Sequence, residues 1–465
     1  MLSRTLRAAT ARPFLVRGNA SLSSAPPAAG TPAPPPPPAN TTTTTTATPP
    51  SANAKEAVKA PEEGDKAEGG RRKRKVWTPR KRPAISALAP REWNRPLAPG
   101  VVPAYDYALK YIQRDAVAVT AEAAELEKRV EEREGEYQAL LKEGGKDGVK
   151  EGLEALDAEL EGMREKLHVL RVQAEVNLPE VRWKVKNALA ERGREAHRHL
   201  LEHRWRKDGD LDLLMERIYQ MKVVPDLLPV LKPTVDLRVA VPATTPDQFR
   251  ALAAQGRAGA NVLTVEPGVF LDPKNTLSPP MLYADAFHAD TRLYTLLMVD
   301  PDVPDPERAG YKTYLHWMCP NVELSAARAG RLTGLNGHTA YVPPHPQRGT
   351  PYHRYTVLLL PQPPVEGERY SRNLEARAVR EGGVSSRRLD IPVVGEGERA
   401  GFDVRKFVEE WGLGMEGGAH MFREVWGAAT SKVYEEVLKQ PEPVFGRPRK
   451  EDRYADIRGR KKYVL

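Results

Sequence analysis

Asp300, His316, His353 and Tyr355 are the residues of this 465-residue chain whose types suit binding chemistry. Two imidazoles and a phenol can donate hydrogen bonds to a tetrahedral anion, and a carboxylate can orient one imidazole. Short apolar runs rich in β-forming residues, 293–299 and 355–360, lie beside them, and such runs are typical of strands buried on both faces. We expect the four side chains near strand ends, where pockets are often built. The sequence therefore predicts a small anion pocket.

Catalysis and metal binding are not predicted at these positions. A nucleophilic serine of the hydrolase type needs a G-x-S-x-G segment, and the sequence has none. Zinc ligation by His316, His353 and Asp300 is chemically possible, but no motif requires it. We therefore expect no enzyme activity, no metal and no cofactor.

Residues 103–222, upstream of the pocket residues, have a helical pattern. Residues 115–143 are rich in Ala, Glu and Lys, and a glycine-rich break follows at 144–148. The apolar residues beyond the break alternate at spacings of three and four, which predicts one seam along a helix: Leu153, Leu156, Leu160, Met163, Leu167 and Leu170. Two helices joined by this break predict a hairpin with coiled-coil-like packing. A further helix is expected from Pro179 through Trp205.

The segments around the four pocket residues resemble those of the phosphatidylethanolamine-binding-protein (PEBP) family. The matching blocks appear in family order across residues 223–427: VPD at 224–226, DPDVP at 300–304, LHW at 315–317, YVPPHP at 341–346 with Gly349 and HRY at 353–355, and finally FDVRKFVEEWGL and GGAHMFREVW. The resemblance implies an α+β fold, with a central antiparallel β-sandwich and a few peripheral helices over residues 223–429. It also implies that the pocket binds anions such as phosphate head groups.

Three residues near the pocket depart from the family pattern. Pro343 and Pro351 stand where the family has glycine, and His345 lies within the proline segment. Proline fixes φ and offers no backbone donor, whereas glycine adopts unusual backbone angles freely. Two interpretations of the four residues therefore remain open: residual anion binding, or a buried hydrogen-bonded network that only stabilises the domain.

Both ends of the chain are biased in composition. Residues 1–23 are arginine-rich and lack acidic residues, which is typical of a mitochondrial transit peptide, and 24–70 form a low-complexity linker. A basic extended arm is predicted over 71–102, and a helix with a basic tail over 430–465. We expect RNA contacts from charge and stacking at Arg71, Arg72, Lys73, Arg74, Lys75, Trp77, Arg80, Lys81, Arg82, Arg447, Arg449, Lys450, Arg458, Arg460, Lys461 and Lys462. A solvated charge run is the alternative.

The bulk composition favours a polyanionic partner. The 71 Lys+Arg exceed the 62 Asp+Glu and leave a formal charge of +9. The single cysteine, Cys319, excludes an intramolecular disulfide, and no apolar run is long enough to predict a membrane-spanning helix.

The order of presequence, basic arm, helical hairpin, PEBP-like domain and basic tail is similar to that of fungal PEBP-fold proteins of the mitochondrial large ribosomal subunit. By that resemblance we expect a structural constituent of this subunit in the mitochondrial matrix, at the central protuberance. Mitochondrial rRNA and other large-subunit proteins are the expected partners, and a homo-oligomer is not expected. The alternative is a mitochondrial anion- or phospholipid-head-group-binding regulator whose arms meet anionic membranes. A metal-dependent hydrolase is a third and weaker hypothesis.

Overall fold

A computed structural model describes residues 91–143, 147–256, 261–367 and 369–446 of the chain. The predicted presequence, the linker and all sixteen residues expected to contact RNA lie outside the described residues. The domain boundaries given above therefore remain predictions at both ends of the chain.

Two long helices form the predicted hairpin. Helix α1 is Pro103–Glu143 and α2 is Asp147–Val176. The seam of α2 faces α1, because Leu167 and Leu170 are buried against Ala123 and Leu126, with Met163 packed beside them. The helical region predicted before the domain is therefore confirmed. In the part of the chain that the structure describes, none of the helices has the length and apolar character needed to cross a bilayer.

Four shorter helices connect the hairpin to the sheets. They are α3 (Pro179–Lys186), α4 (Glu195–Lys207), α5 (Asp210–Gln220) and α6 (Val223–Asp226). The prediction of one helix from Pro179 through Trp205 is wrong, because residues 187–194 interrupt it. Ala188 adopts a positive φ of 58°, and the Asn187 side chain donates to the Trp183 carbonyl, which ends the helical hydrogen-bond ladder.

Nine strands form two sheets within the described residues. The four-stranded sheet has the order β2-β1-β4-β7, and the five-stranded sheet has the order β3-β9-β8-β5-β6. All neighbouring strands are antiparallel except β3 and β9, which run parallel. The strands are β1 Asp236–Pro242, β2 Val262–Val265, β3 Phe270–Leu271, β4 Met281–Asp285, β5 Arg292–Asp305, β6 Gly310–Leu324, β7 Gly330–Arg331, β8 His353–Pro361 and β9 Gly418–Glu424.

The central strands are apolar on both faces because each face is covered. Leu296 and Leu359 point into the layer between the two sheets. Leu297 and Leu358 point toward α5, α6 and the helix formed by residues 404–410. The helices within and after the sheets are α7 (Pro246–Ala254), α8 (Arg372–Glu381), α9 (Val404–Glu410) and α10 (Ala428–Lys432), with a π-helical turn at Val433–Leu438. This arrangement confirms the predicted α+β fold.

Helix α8 joins the hairpin to the two-sheet domain. The Glu161 carboxylate of α2 accepts hydrogen bonds from the backbone N–H groups of Arg372 (2.8 Å) and Asn373 (2.9 Å), the first two residues of α8. A carboxylate at this position neutralises unsatisfied donors and the positive end of the helix dipole. The Asn373 side chain accepts from Arg164 at 2.8 Å and donates to the Asp157 carbonyl at 2.7 Å. The hairpin is therefore fixed to the domain by specific polar contacts.

Candidate functional site

Asp300 and His353 form a buried hydrogen-bonded pair on two adjacent strands. His353 opens β8, and the register of β5 shifts immediately after Asp300, which turns this carboxylate toward β8. The Nδ1 of His353 lies 2.7 Å from Oδ2 of Asp300, while its Nε2 lies 2.9 Å from the Thr350 hydroxyl. Oδ1 of Asp300 accepts the backbone N–H of Asp302 at 2.9 Å. Both nitrogens of the His353 ring are thus held by the protein.

His316 and Tyr355 lie beside this pair, and each has one polar atom without a hydrogen-bond partner in the described structure. Nδ1 of His316 donates to the Val342 carbonyl at 2.9 Å, and Nε2 of the same ring has no partner in the described residues. The Tyr355 hydroxyl also has no partner among them. Their ring centroids are 5.2 Å apart. Burial lowers the pKa of His316 well below its ordinary value and raises that of Tyr355 well above its own. The imidazole is therefore neutral, and its Nε2 is an acceptor.

The imidazole of His345 fills the space next to His316. Its ring centroid is 4.9 Å from that of Tyr314, 5.0 Å from that of His316 and 5.5 Å from that of Tyr434. Its Nδ1 donates to the Pro343 carbonyl at 2.9 Å, and the residue is only 6% exposed. Burial lowers the pKa of His345, so this ring is also uncharged. A side chain of the protein thus occupies the centre of the aromatic cluster.

The segment after α10 closes over the loop that carries His345. The Tyr434 hydroxyl donates to the His345 carbonyl at 2.9 Å, and the Phe445 N–H donates to the Arg348 carbonyl at 2.7 Å. Gly349, with φ of +92°, makes the second contact possible, because a Cβ there would lie 1.4 Å from the Phe445 carbonyl oxygen. The residues that cover the site therefore come from the end of the described chain.

A buried guanidinium gives the site a positive character. Arg399 is almost fully buried, donates to the carbonyls of His316 (3.1 Å) and Ala340 (2.9 Å), and has no salt bridge to a carboxylate in the described residues. Its charge adds to burial and to the neighbouring His345 in lowering the pKa of His316. The guanidinium is thus held by backbone carbonyls, and its charge disfavours protonation of His316.

A buried glutamate lies on the other side of His353. Glu424 of β9 is the register partner of His353, is fully buried, and makes no hydrogen bond of normal geometry through either oxygen. Burial raises the pKa of Glu424 well above its ordinary value, and the neighbouring Thr276 side chain offsets this only in part. Burial therefore favours the protonated, neutral form of the Glu424 carboxyl group.

The structure brings all four predicted pocket residues together. Asp300 and His353 are in direct contact, the Tyr355 ring is stacked near the His353 ring at 6.5 Å, and His316 follows it. Sequence reasoning missed Glu424 and Tyr434. The signal for Glu424 was an acidic residue at the end of the mostly buried strand GAHMFRE, whereas no local signal indicated Tyr434.

Part of the two-sheet domain that carries the Asp300–His353 pair is similar to a known protein family. Residues 259–414 match the family model described as phosphatidylethanolamine-binding protein. The domain recognised from the motifs is therefore confirmed for this part of the chain.

The curated proteins that are similar in sequence to this chain include a ribosomal protein. The chain is 26% identical over 194 residues to large ribosomal subunit protein mL38 of Schizosaccharomyces pombe, which covers 42% of this chain and 58% of that protein. It is 35% identical over 100 residues to protein TWIN SISTER of FT of Arabidopsis thaliana, with 21% and 52% covered. The chain spans about half the length of these curated relatives. The phosphatidylethanolamine-binding protein from Plasmodium vivax aligns at 19% identity and a TM-score of 0.27, over 46% of this chain and 97% of that one.

Proposed function

We propose that this chain is a structural, non-enzymatic constituent of the mitochondrial large ribosomal subunit that contacts mitochondrial rRNA and neighbouring ribosomal proteins. The observation that carries the proposal is the 194-residue similarity to large ribosomal subunit protein mL38. The two basic arms support it, since they bring clustered positive charge and aromatic rings to a polyanionic partner.

The rigid helical module also supports a structural role. A pocket-based binding protein needs only the two-sheet domain, yet 120 residues, 103–222, precede that domain in this chain. The hairpin within them is fixed through Glu161 and Asn373. A long helix pair held at a defined position on a globular body presents an extended surface to large partners.

The occupied site argues against the anion-binding regulator. A phosphate group would have to reach the unpaired Tyr355 hydroxyl, and the His345 ring lies against the neighbouring His316 under cover of Tyr434. The inherited residues therefore act as a buried polar network that stabilises the domain.

Sedimentation of the tagged protein from a mitochondrial lysate tests the proposed function. With magnesium present, the protein should migrate with the large subunit, and chelation of magnesium should shift it to lighter fractions as the particle comes apart. A profile confined to soluble top fractions or to membranes would contradict the proposal and would favour the anion-binding regulator.

Deletion of residues 71–82 should weaken particle association in a salt-dependent way. This segment carries eight positive charges, at Arg71, Arg72, Lys73, Arg74, Lys75, Arg80, Lys81 and Arg82. Each lost phosphate contact reduces the slope of log K against log salt by about 0.7–0.9. The measurement is retention on purified large subunits over a series of salt washes.

The low-complexity linker offers a matched control for this deletion. Residues 35–46 have the same length and carry no charge. Their removal should leave retention and its salt dependence unchanged. Equal behaviour of the two deletions would show that the basic arm has no role in RNA contact.

Replacement of His345 by glycine should open the site to small anions. Loss of the ring leaves a cavity beside His316, whose other neighbours are the ring of Tyr355, with its unpaired hydroxyl, and the charged Arg399. We expect the full-length His345→Gly protein to bind inorganic phosphate with Kd of about 1 mM, or about −4 kcal/mol, in calorimetry. The unmodified protein should show no heat of binding at the same concentrations.

A second substitution provides the control for His345→Gly. The double variant His345→Gly, Tyr355→Phe keeps the cavity but removes the unpaired hydroxyl donor, so phosphate binding should fall. Phosphate binding by the unmodified protein, as strong as by the glycine variant, would mean that His345 does not block the site.

A further inference from the structure

Phe270, Tyr352 and Arg423 form a preorganised cluster on the surface, outside the buried site. They come from β3, the residue before β8, and β9. The Cζ of Arg423 lies 4.0 Å from the Phe270 ring centroid and 5.1 Å from that of Tyr352, and the two rings meet edge to face at 5.6 Å. Nε of Arg423 donates to the Gly268 carbonyl at 2.8 Å, which fixes the guanidinium plane. Phe270 and Tyr352 nevertheless remain 49% and 43% exposed.

A second arginine–aromatic pair is carried by the same two segments. Arg348 lies in the loop that leads to Tyr352, and its Cζ is 4.9 Å from the ring centroid of Trp426, two residues beyond β9. The indole N–H and Ser431 occupy the two oxygens of the nearby Glu442. We call Phe270, Tyr352, Arg423, Arg348 and Trp426 the arginine–aromatic surface.

The arginine–aromatic surface is suited to an anionic partner. In the described ranges, neither Arg348 nor Arg423 forms a salt bridge with an acidic residue, so the local positive charge is not neutralised there. Phe445 is hydrogen-bonded to Arg348, and the basic segment that begins with Arg447 follows Phe445 by only two positions. The described chain therefore contacts the surface at Phe445, two positions before the basic segment in sequence.

We propose that the arginine–aromatic surface binds unpaired nucleotides of RNA. Exposed aromatic rings and planar guanidinium groups stack on splayed bases, and arginine N–H groups bond to phosphate oxygens. This proposal rests on the proposed ribosomal function and names a contact surface within it.

The charge of the surface favours RNA over a protein partner. Interfaces between proteins also contain Tyr, Trp and Arg, but their centres are depleted of net charge. Here both arginines, Arg423 and Arg348, stand over aromatic rings and lack a salt bridge in the described residues, and the sequence that follows Phe445 is basic. A protein contact is accordingly treated as the competing outcome of the test.

Site-specific photocrosslinking of the full-length chain tests the proposal. Tyr352 is replaced by benzoylphenylalanine, the tagged protein is expressed in its own mitochondria, and gradient fractions are irradiated. The matched control carries the same photoreactive residue at Tyr311, an exposed aromatic position 69% accessible on the β5–β6 hairpin. We expect an adduct from position 352 that ribonuclease shortens, at least five-fold more abundant than from position 311.

The outcomes of this experiment distinguish failure of the RNA-binding surface from failure of the proposed ribosomal function. Absence of the protein from large-subunit fractions would count against the proposed function itself. If the protein is in the particle, an adduct at position 352 that resists ribonuclease but yields to protease would identify a protein partner and overturn the RNA assignment. No adduct above the Tyr311 control within the particle would overturn it as well.

Discussion

The Asn373→Ala protein is expected to have a loosened hairpin attachment, held only by the remaining contacts such as those of Glu161, while the two-sheet domain remains folded. Asn373 is 1% exposed, and its amide joins Arg164 and the Asp157 carbonyl of α2 to the first turn of α8. Alanine removes these bonds, and loss of a hydrogen bond to a charged group such as the Arg164 guanidinium costs about 1.5–3 kcal/mol. The two-sheet core does not depend on this contact, since its apolar clusters contain no residue of α2 or α8.

Hydrogen exchange monitored by mass spectrometry measures this effect. Peptides covering 103–176 and the start of α8 should exchange faster in Asn373→Ala, while peptides of β5 and β8 keep their protection. Glu165→Ala is the matched control, because Glu165 is exposed on α2 one turn after Glu161. Uniformly faster exchange across the whole protein would show that the effect is global unfolding rather than release of the hairpin.

The Glu424→Gln substitution should change the pH dependence of stability. Burial holds the pKa of Glu424 well above 4.5, so the folded protein keeps a proton that the unfolded chain releases above about pH 4.5. The free energy of unfolding of the unmodified protein therefore falls as pH rises from about 4.5 toward the raised pKa. Glutamine does not ionise in either state, so the variant lacks this decline.

Chemical denaturation at pH 4.5 and pH 7.5 checks this prediction. The stability of Glu424→Gln relative to the unmodified protein should be higher at pH 7.5 than at pH 4.5. Any constant cost of burying an amide cancels in this difference. Glu410→Gln, at an exposed position of α9, should give the same relative stability at both pH values. A difference of zero for Glu424→Gln would mean that Glu424 is ionised in the folded protein.

Three buried histidines, His316, His345 and His420, make the free energy of unfolding rise with pH, which is opposite to the effect of Glu424. Burial lowers the pKa of all three, that of His420 to about 4, so the unfolded chain binds more protons as pH falls below about 6.5. Their contribution to stability is present above this pH and is lost on acidification. Both Glu424 proteins contain these histidines, so their effect does not enter the comparison.

The sequence by itself determined the helical hairpin, two central strands and four of the residues at the site. Apolar spacings of three and four fixed the seam of α2, and continuous apolar runs fixed β5 and β8, because these patterns reflect burial along a single element. The DPDVP and HRY blocks placed Asp300 and His353 in one site, although they lie 53 positions apart. The interruption at 187–194 was missed because helix-forming composition extends across it.

Only the tertiary structure decided what the site contains and what covers it. His345 was visible as a departure from the family pattern, but its ring fills the site only because Tyr314, His316 and Tyr434 converge on it from separate segments. The same is true of the Glu161 contact with α8, which joins residues more than 200 positions apart. Local sequence patterns report which face of an element is buried, whereas these contacts depend on how distant elements pack, and no single-element periodicity encodes that.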